Sequence, residues 1–146
     1  MDRLKWCCGQ KKGISIIEPN KNLSEEYIKK ADESLEAMLI NKGGWKIITA
    51  YYACYNALYS ILMLAGIKSE IHECSIELMN LIDEFSEEDI HFLKRLKEDR
   101  IAVQYYLKER KLENENQAKN FVLKCKKIIK YINPDKARNK IKEAQK

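Results

Sequence analysis

Little in this chain breaks a helix. Five glycines and two prolines serve 146 residues, while Lys, Glu, Leu, Ile and Ala are abundant. That balance reads as all-α. There is no glycine-rich phosphate loop, no internal repeat and no low-complexity run. The five cysteines form no CxxC pair. Cys7 and Cys8 with His72 and Cys74 lack metal-ligand spacing, so neither a metal nor another cofactor is expected. The opening MDRLKWCCGQKKGIS has charges but no apolar stretch of the kind a secretion signal needs. A cytoplasmic location is therefore expected, with the cysteines as thiols. Cys54 and Cys125 lie in apolar helical stretches and read as small core residues.

Charge is scarce in one place and dense in another. From Ile47 to Ile67 there is none. From Lys119 to Lys146 there are ten Lys/Arg and two Asp/Glu, a net of +8 in a chain whose total is +5. A field concentrated in this way suits an acidic partner such as RNA, DNA or an acidic protein face. It also suits a plain solvated lysine-rich helix.

The uncharged stretch, WKIITAYYACYNALYSILMLAG from Trp45 to Gly66, organises the rest. It is too long for a strand and contains no proline. Ile48, Tyr52, Tyr55, Tyr59 and Leu62 mark one helical face, and Leu58, Ile61 and Leu64 lie off it. A helix apolar on most sides must be covered on most sides, by a bilayer or by other helices. Asn56 and the cluster Tyr51, Tyr52, Tyr55 and Tyr59 near its middle would lack partners in lipid. The expectation is therefore no membrane span but the central helix of a bundle.

The remaining elements are placed by caps and periodicity. Residues 1–21 read as an N-terminal arm interrupted by Gly9, Gly13 and Pro19. A first helix begins near Asn22 or Ser24 and carries Tyr27, Ile28, Ala31, Leu35, Met38 and Leu39 inward. A third covers roughly Ile71 to Phe85. Ser86-Glu87-Glu88-Asp89 has the form of a capping box and starts a fourth, which extends to about Glu109. Its inner stripe is Leu93, Leu96, Arg100, Val103 and Leu107. A fifth covers about Asn116 to Ile132, and Asn133-Pro134 breaks it. Residues 22–133 are thus expected to form an up-and-down antiparallel bundle of four main helices plus one shorter. Residues 134–146 form a basic C-terminal tail with few packing positions.

Arg100 stands out on an otherwise apolar stripe. A guanidinium cannot shed its charge, so on a buried face it needs an anionic partner or a polar cavity. Three placements meet that need: snorkelling to the rim, pairing with a carboxylate on another helix, or holding a phosphate.

At these residues the chain resembles a known family. Ala50-Tyr51-Tyr52-Ala53-Cys54-Tyr55-Asn56-Ala57, then an apolar helix, a Gly, Lys68 and His72, is similar to the second helix of HEPN domains. These are the "higher eukaryotes and prokaryotes nucleotide-binding" all-α domains. Leu96-Lys97-Glu98-Asp99-Arg100 followed by Gln104-Tyr105-Tyr106 resembles their fourth helix. The resemblance covers about residues 22–132 and is to the stand-alone prokaryotic subfamily.

It implies a homodimer, with a ligand groove at Arg100 and Gln104 and, on the second helix, Tyr52 and Asn56. The ligand is a nucleotide, RNA or a minimal nucleotidyltransferase partner. Many HEPN domains are metal-independent ribonucleases, and often toxins, with an Arg, four to six residues, then His. There the Arg holds the phosphate and the His moves a proton. Here Arg100 matches, Ile101 replaces the usual polar follower, and Tyr105 stands where the His belongs. A phenol is a poor base at neutral pH. His91 lies half a turn out of phase with Arg100 and roughly 13 Å away along the helix. His72, on the connection between helices two and three, is the other histidine that could serve. In toxins paired with the nucleotidyltransferase, a Tyr near the His accepts AMP, a part that Tyr105 or Tyr106 could play. Three readings follow: a non-catalytic or weakly catalytic HEPN domain, a divergent RNase toxin using Arg100 with His72 or Tyr105, and a plain helical interaction module.

Overall fold

Most helices in this chain begin at a side-chain cap, and the first long one is capped by Asn20 rather than by the expected Asn22 or Ser24. In the computed structural model, which describes residues 2–146, Asp2 caps α1 (Arg3–Gly9) and Asn20 caps α2 (Lys21–Ile40). Each accepts a hydrogen bond from a first-turn backbone N–H. The long apolar helix is α3 (Gly44–Ala65). Ser86 and Asp89 close a reciprocal capping box at the start of α5 (Glu87–Tyr106). Asn114 caps α6 (Glu115–Tyr131), and Asn133 caps α7 (Pro134–Ala144), with Pro134 at its first position. A short α4 (His72–Glu77) runs into a 3-10 turn at Leu78–Leu81. The described residues are thus mostly helical, as expected.

Two segments depart from expectation. The arm holds α1 and a strand β1 (Ser15–Ile16), which pairs antiparallel with β2 (Ile67–Lys68), Ile16 opposite Ile67. The third helix is shorter than its apolar pattern suggested, because its second half tightens into the 3-10 turn.

The core is built around α3, fifteen of whose residues are buried. By length and composition this helix could span a membrane, but 67% of its most apolar window is buried inside the protein. The α2–α3 pair is antiparallel. Ser24 meets Ser60 near one end, and Lys46 reaches the Met38 carbonyl at the other. The α5–α6 pair is antiparallel too, with Asp89 on Lys124 and Phe92 beside Phe121. Each fully buried Leu or Ile on these faces contributes about 1.5–3 kcal/mol of transfer free energy. Gly44 lets the start of α3 approach α5, since a Cβ there would sit 2.5 Å from Val103 Cγ1.

The C-terminus of α3 ties both chain ends to the core. Gly66 takes the left-handed conformation, φ 74°, and donates to the Leu62 and Met63 carbonyls. Arg138 of α7 donates from Nη1 to the carbonyls of Ile17, Ala65 and Gly66 at 2.8–3.1 Å. A cation at a helix C-terminus meets both the dipole and its unpaired carbonyls. Ala137 and Ile141 pack beneath it.

Cysteine usage also differs from expectation. Cys54 and Cys125 are buried free thiols, but Cys7 and Cys74 are joined in a disulfide. Their elements adjoin in the fold although 67 residues separate them in sequence. Nothing in the cysteine spacing signals such proximity.

Candidate anion-binding site

Arg100 points inward from the middle of α5, with only 6% of its surface exposed. No carboxylate pairs with it among the described residues. Neighbouring Asp99 instead faces Arg110, at 3.7 Å. The guanidinium lies over aromatic rings, 4.7 Å from the Tyr51 centroid and 5.6 Å from that of Tyr52. Its Nη1 donates two long hydrogen bonds, to Tyr52 Oη at 3.3 Å and Gln104 Oε1 at 3.4 Å. Its Nε is buried with no partner. Cation–π contact offsets part of the desolvation cost of a buried cation but cannot satisfy an N–H.

A second shelf supports the first. His72, the first residue of α4, stacks on Tyr55 with centroids 4.0 Å apart. Its Nδ1 lies 2.8 Å from Tyr51 Oη. Tyr51 therefore touches Arg100 with its ring and His72 with its hydroxyl. Tyr55 donates to Ser75 Oγ, and Tyr59 accepts from the Ser69 N–H. The tyrosine column on α3 is thus pinned to α4 and to the loop before it.

The local field is positive. Burial first, and then Arg100 and Lys97, hold the His72 imidazole down to about 4. Burial and Arg100 likewise lower Lys97, one turn before Arg100 on α5. Burial raises the Tyr51 and Tyr55 phenols, so both stay neutral donors and acceptors. An unpaired buried guanidinium with cationic neighbours is a site short of negative charge.

Gln104 also lines a cleft of about 850 Å³. Trp45, Ile48, Val103, Lys108, Arg110 and Lys111 line it as well. Trp45 is 64% exposed. That cleft went unseen in the sequence because Trp45 reads there as one more apolar residue of the central helix.

Of the expected site residues, Arg100, Tyr52 and Gln104 come together, and His72 joins them through Tyr51. Asn56, half-buried one turn beyond Tyr52, bonds to none of them. Tyr105 lies beside Arg100, its ring centroid 5.9 Å from Cζ, yet is 65% exposed. Tyr106 is equally open. Leu107, expected on the inner stripe, is exposed: α5 ends one turn early there, with Leu107 left-handed at φ 54° and exposed residues beyond it. Several cations of the basic C-terminal part are already engaged. Lys124, Lys126 and Lys136 pair with Asp89, Asp32 and Asp83, and Arg138 caps α3. No protein-family model matches the chain, and no curated protein matches it.

Proposed function

We propose that this chain is a HEPN-like helical domain that binds the phosphate of a nucleotide or RNA strand at Arg100. The observation that carries this is a nine-tenths buried guanidinium with an unmet Nε–H and no carboxylate. A phosphate oxygen supplies the missing acceptor and the missing charge together. The neighbouring cleft has room for a nucleoside, with Trp45 as a stacking surface and Lys108, Arg110 and Lys111 for a second phosphate. Helices α2, α3, α5 and α6 supply the four main members of the HEPN-like up-and-down bundle. Exposed Tyr105, Tyr106 and Leu107 at the end of α5 offer a second subunit, or a minimal nucleotidyltransferase, an apolar patch to cover.

Fluorescence anisotropy with a labelled single-stranded RNA, and calorimetric titration with AMP, test the proposal. Arg100→Met is expected to weaken binding by about tenfold or more, and Trp45→Ala to weaken AMP more than inorganic phosphate. Absence of binding by either ligand, even at low salt, would sink it.

The Tyr51–His72 contact favours a second reading, a metal-independent ribonuclease in which His72 replaces the histidine missing after Arg100. RNA cleavage in EDTA that is lost in both Arg100→Ala and His72→Gln supports this reading; no cleavage removes it.

A further inference from the structure

Helices α1 and α4 have seven and six residues, too few to hold a helix by themselves. The ties between them are unequal. Arg3 pairs with Glu73 and lies over the Trp6 ring, but both partners of that ion pair are half exposed. Such surface pairs contribute little. The Cys7–Cys74 disulfide is covalent, and both cysteines are fully buried. Cys74 lies two residues after His72 in the same short helix. The link therefore runs in four steps: from the disulfide to α4, to the His72 ring, to the Tyr51 hydroxyl, and from the Tyr51 ring to Arg100.

The structure assigns the Cys7–Cys74 disulfide as a redox latch on the Arg100 site: its reduction frees α1 from α4 and loosens His72 against Tyr51, with the Tyr55–Ser75 hydrogen bond left to hold α4 on α3. This rests on Arg100 being the anion site proposed above. The co-reactant is a dithiol. One of its thiolates attacks a cystine sulfur, giving a mixed disulfide and one free cysteine. Its second thiol then displaces the other cysteine. Two electrons and two protons pass to the protein, and the dithiol leaves as a disulfide. Access requires α1 to open, which suits a seven-residue helix at a chain end. Cys8, next to Cys7, does not compete as the nucleophile. Burial and nearby Asp2 raise its thiol, keeping it protonated.

The full chain tests this in three readouts, before and after dithiothreitol in native buffer: free thiols by alkylation and mass, His72 titration by NMR, and AMP affinity by calorimetry. Reduction is expected to release two thiols. His72 then titrates above its latched value of about 4, towards 6.5, as it loosens on the shelf between Tyr51, Tyr55, Arg100 and Lys97. AMP affinity falls by about fivefold or more. Cys7→Ser and Cys74→Ser, each without reductant, reproduce the reduced state, and Cys8→Ser behaves as the latched wild type. A disulfide that resists dithiothreitol in the folded chain overturns the latch, as does a His72 titration identical in both states. If AMP binds neither state, the Arg100 reading falls, while the His72 curve still decides the latch.

Discussion

Replacing Arg100 by methionine is expected to make the ligand-free protein more stable, not less. The side chain is buried with an unmet Nε–H and no counter-ion. Removing a guanidinium from water costs several kcal/mol even after relaxation. Against that stand cation–π contacts of about 1–2 kcal/mol each with Tyr51 and Tyr52, a weaker one with exposed Tyr105, and two hydrogen bonds at the long end of the range. Methionine fills similar volume, adds no unmet donor and recovers about 1.5–3 kcal/mol of apolar burial. The balance favours Arg100→Met by about 1–4 kcal/mol, the range seen when buried ions give way to packed apolar residues. Urea unfolding monitored by circular dichroism reads this as a raised midpoint at unchanged slope. The same pair in phosphate or AMP separates function from structure: ligand raises the wild-type midpoint and leaves the methionine variant where it was. A ligand-free variant destabilised by more than about 1 kcal/mol would mean that Arg100 is a structural residue, and the physical case for an anion site would fail.

His72 predicts a pH dependence. Its folded value of about 4 lies below its ordinary 6.5, so the unfolded chain takes up the proton first. The stability this contributes is complete above pH 6.5 and is lost as pH falls towards 4. The ring is partly solvated, so the loss is about 1–2 kcal/mol rather than the full value of the shift. Unfolding measured from pH 7 to 4 in wild type and His72→Gln checks it; equal slopes refute it. Arg138→Ala takes the donor from the Ile17 and Ala65 carbonyls, while Gly66 keeps its bond from the Ile17 N–H, and is expected to cost about 2 kcal/mol, lowering Tm on the order of 5–10 °C. Calorimetry reads that shift, and an unchanged Tm would make the contact energetically empty. A side chain at Gly66 has to displace both Arg138 and the Ile17 carbonyl, so Gly66→Ala is expected to cost at least as much, and the same calorimetry checks it.

What the sequence disclosed divides along a physical line. Features written in local residues were legible: the capping box at Ser86, the break at Asn133-Pro134 and the uncharged core helix. So was the burial of Arg100, because Leu93 and Leu96 on the same stripe fix its phase. Features that depend on distant partners were not. The α1 segment RLKWCCG has no long amphipathic period, and its disulfide partner lies 67 residues away. The stripe on α5 runs on to Leu107 in the sequence, but the helix ends before it and leaves it exposed. His72 reads as the polar start of a short helix, and only the approach of α4 to the tyrosines of α3 turns it into a neighbour of the site.

The most direct measurement is the NMR resonance of the Arg100 Nε–H during titration with AMP. It tests whether the unmet donor finds its acceptor. A saturable downfield shift of that proton, with a midpoint equal to the calorimetric dissociation constant and absent with adenosine, is the predicted result. AMP binding that leaves the resonance where it stands would place the ligand elsewhere and contradict the account.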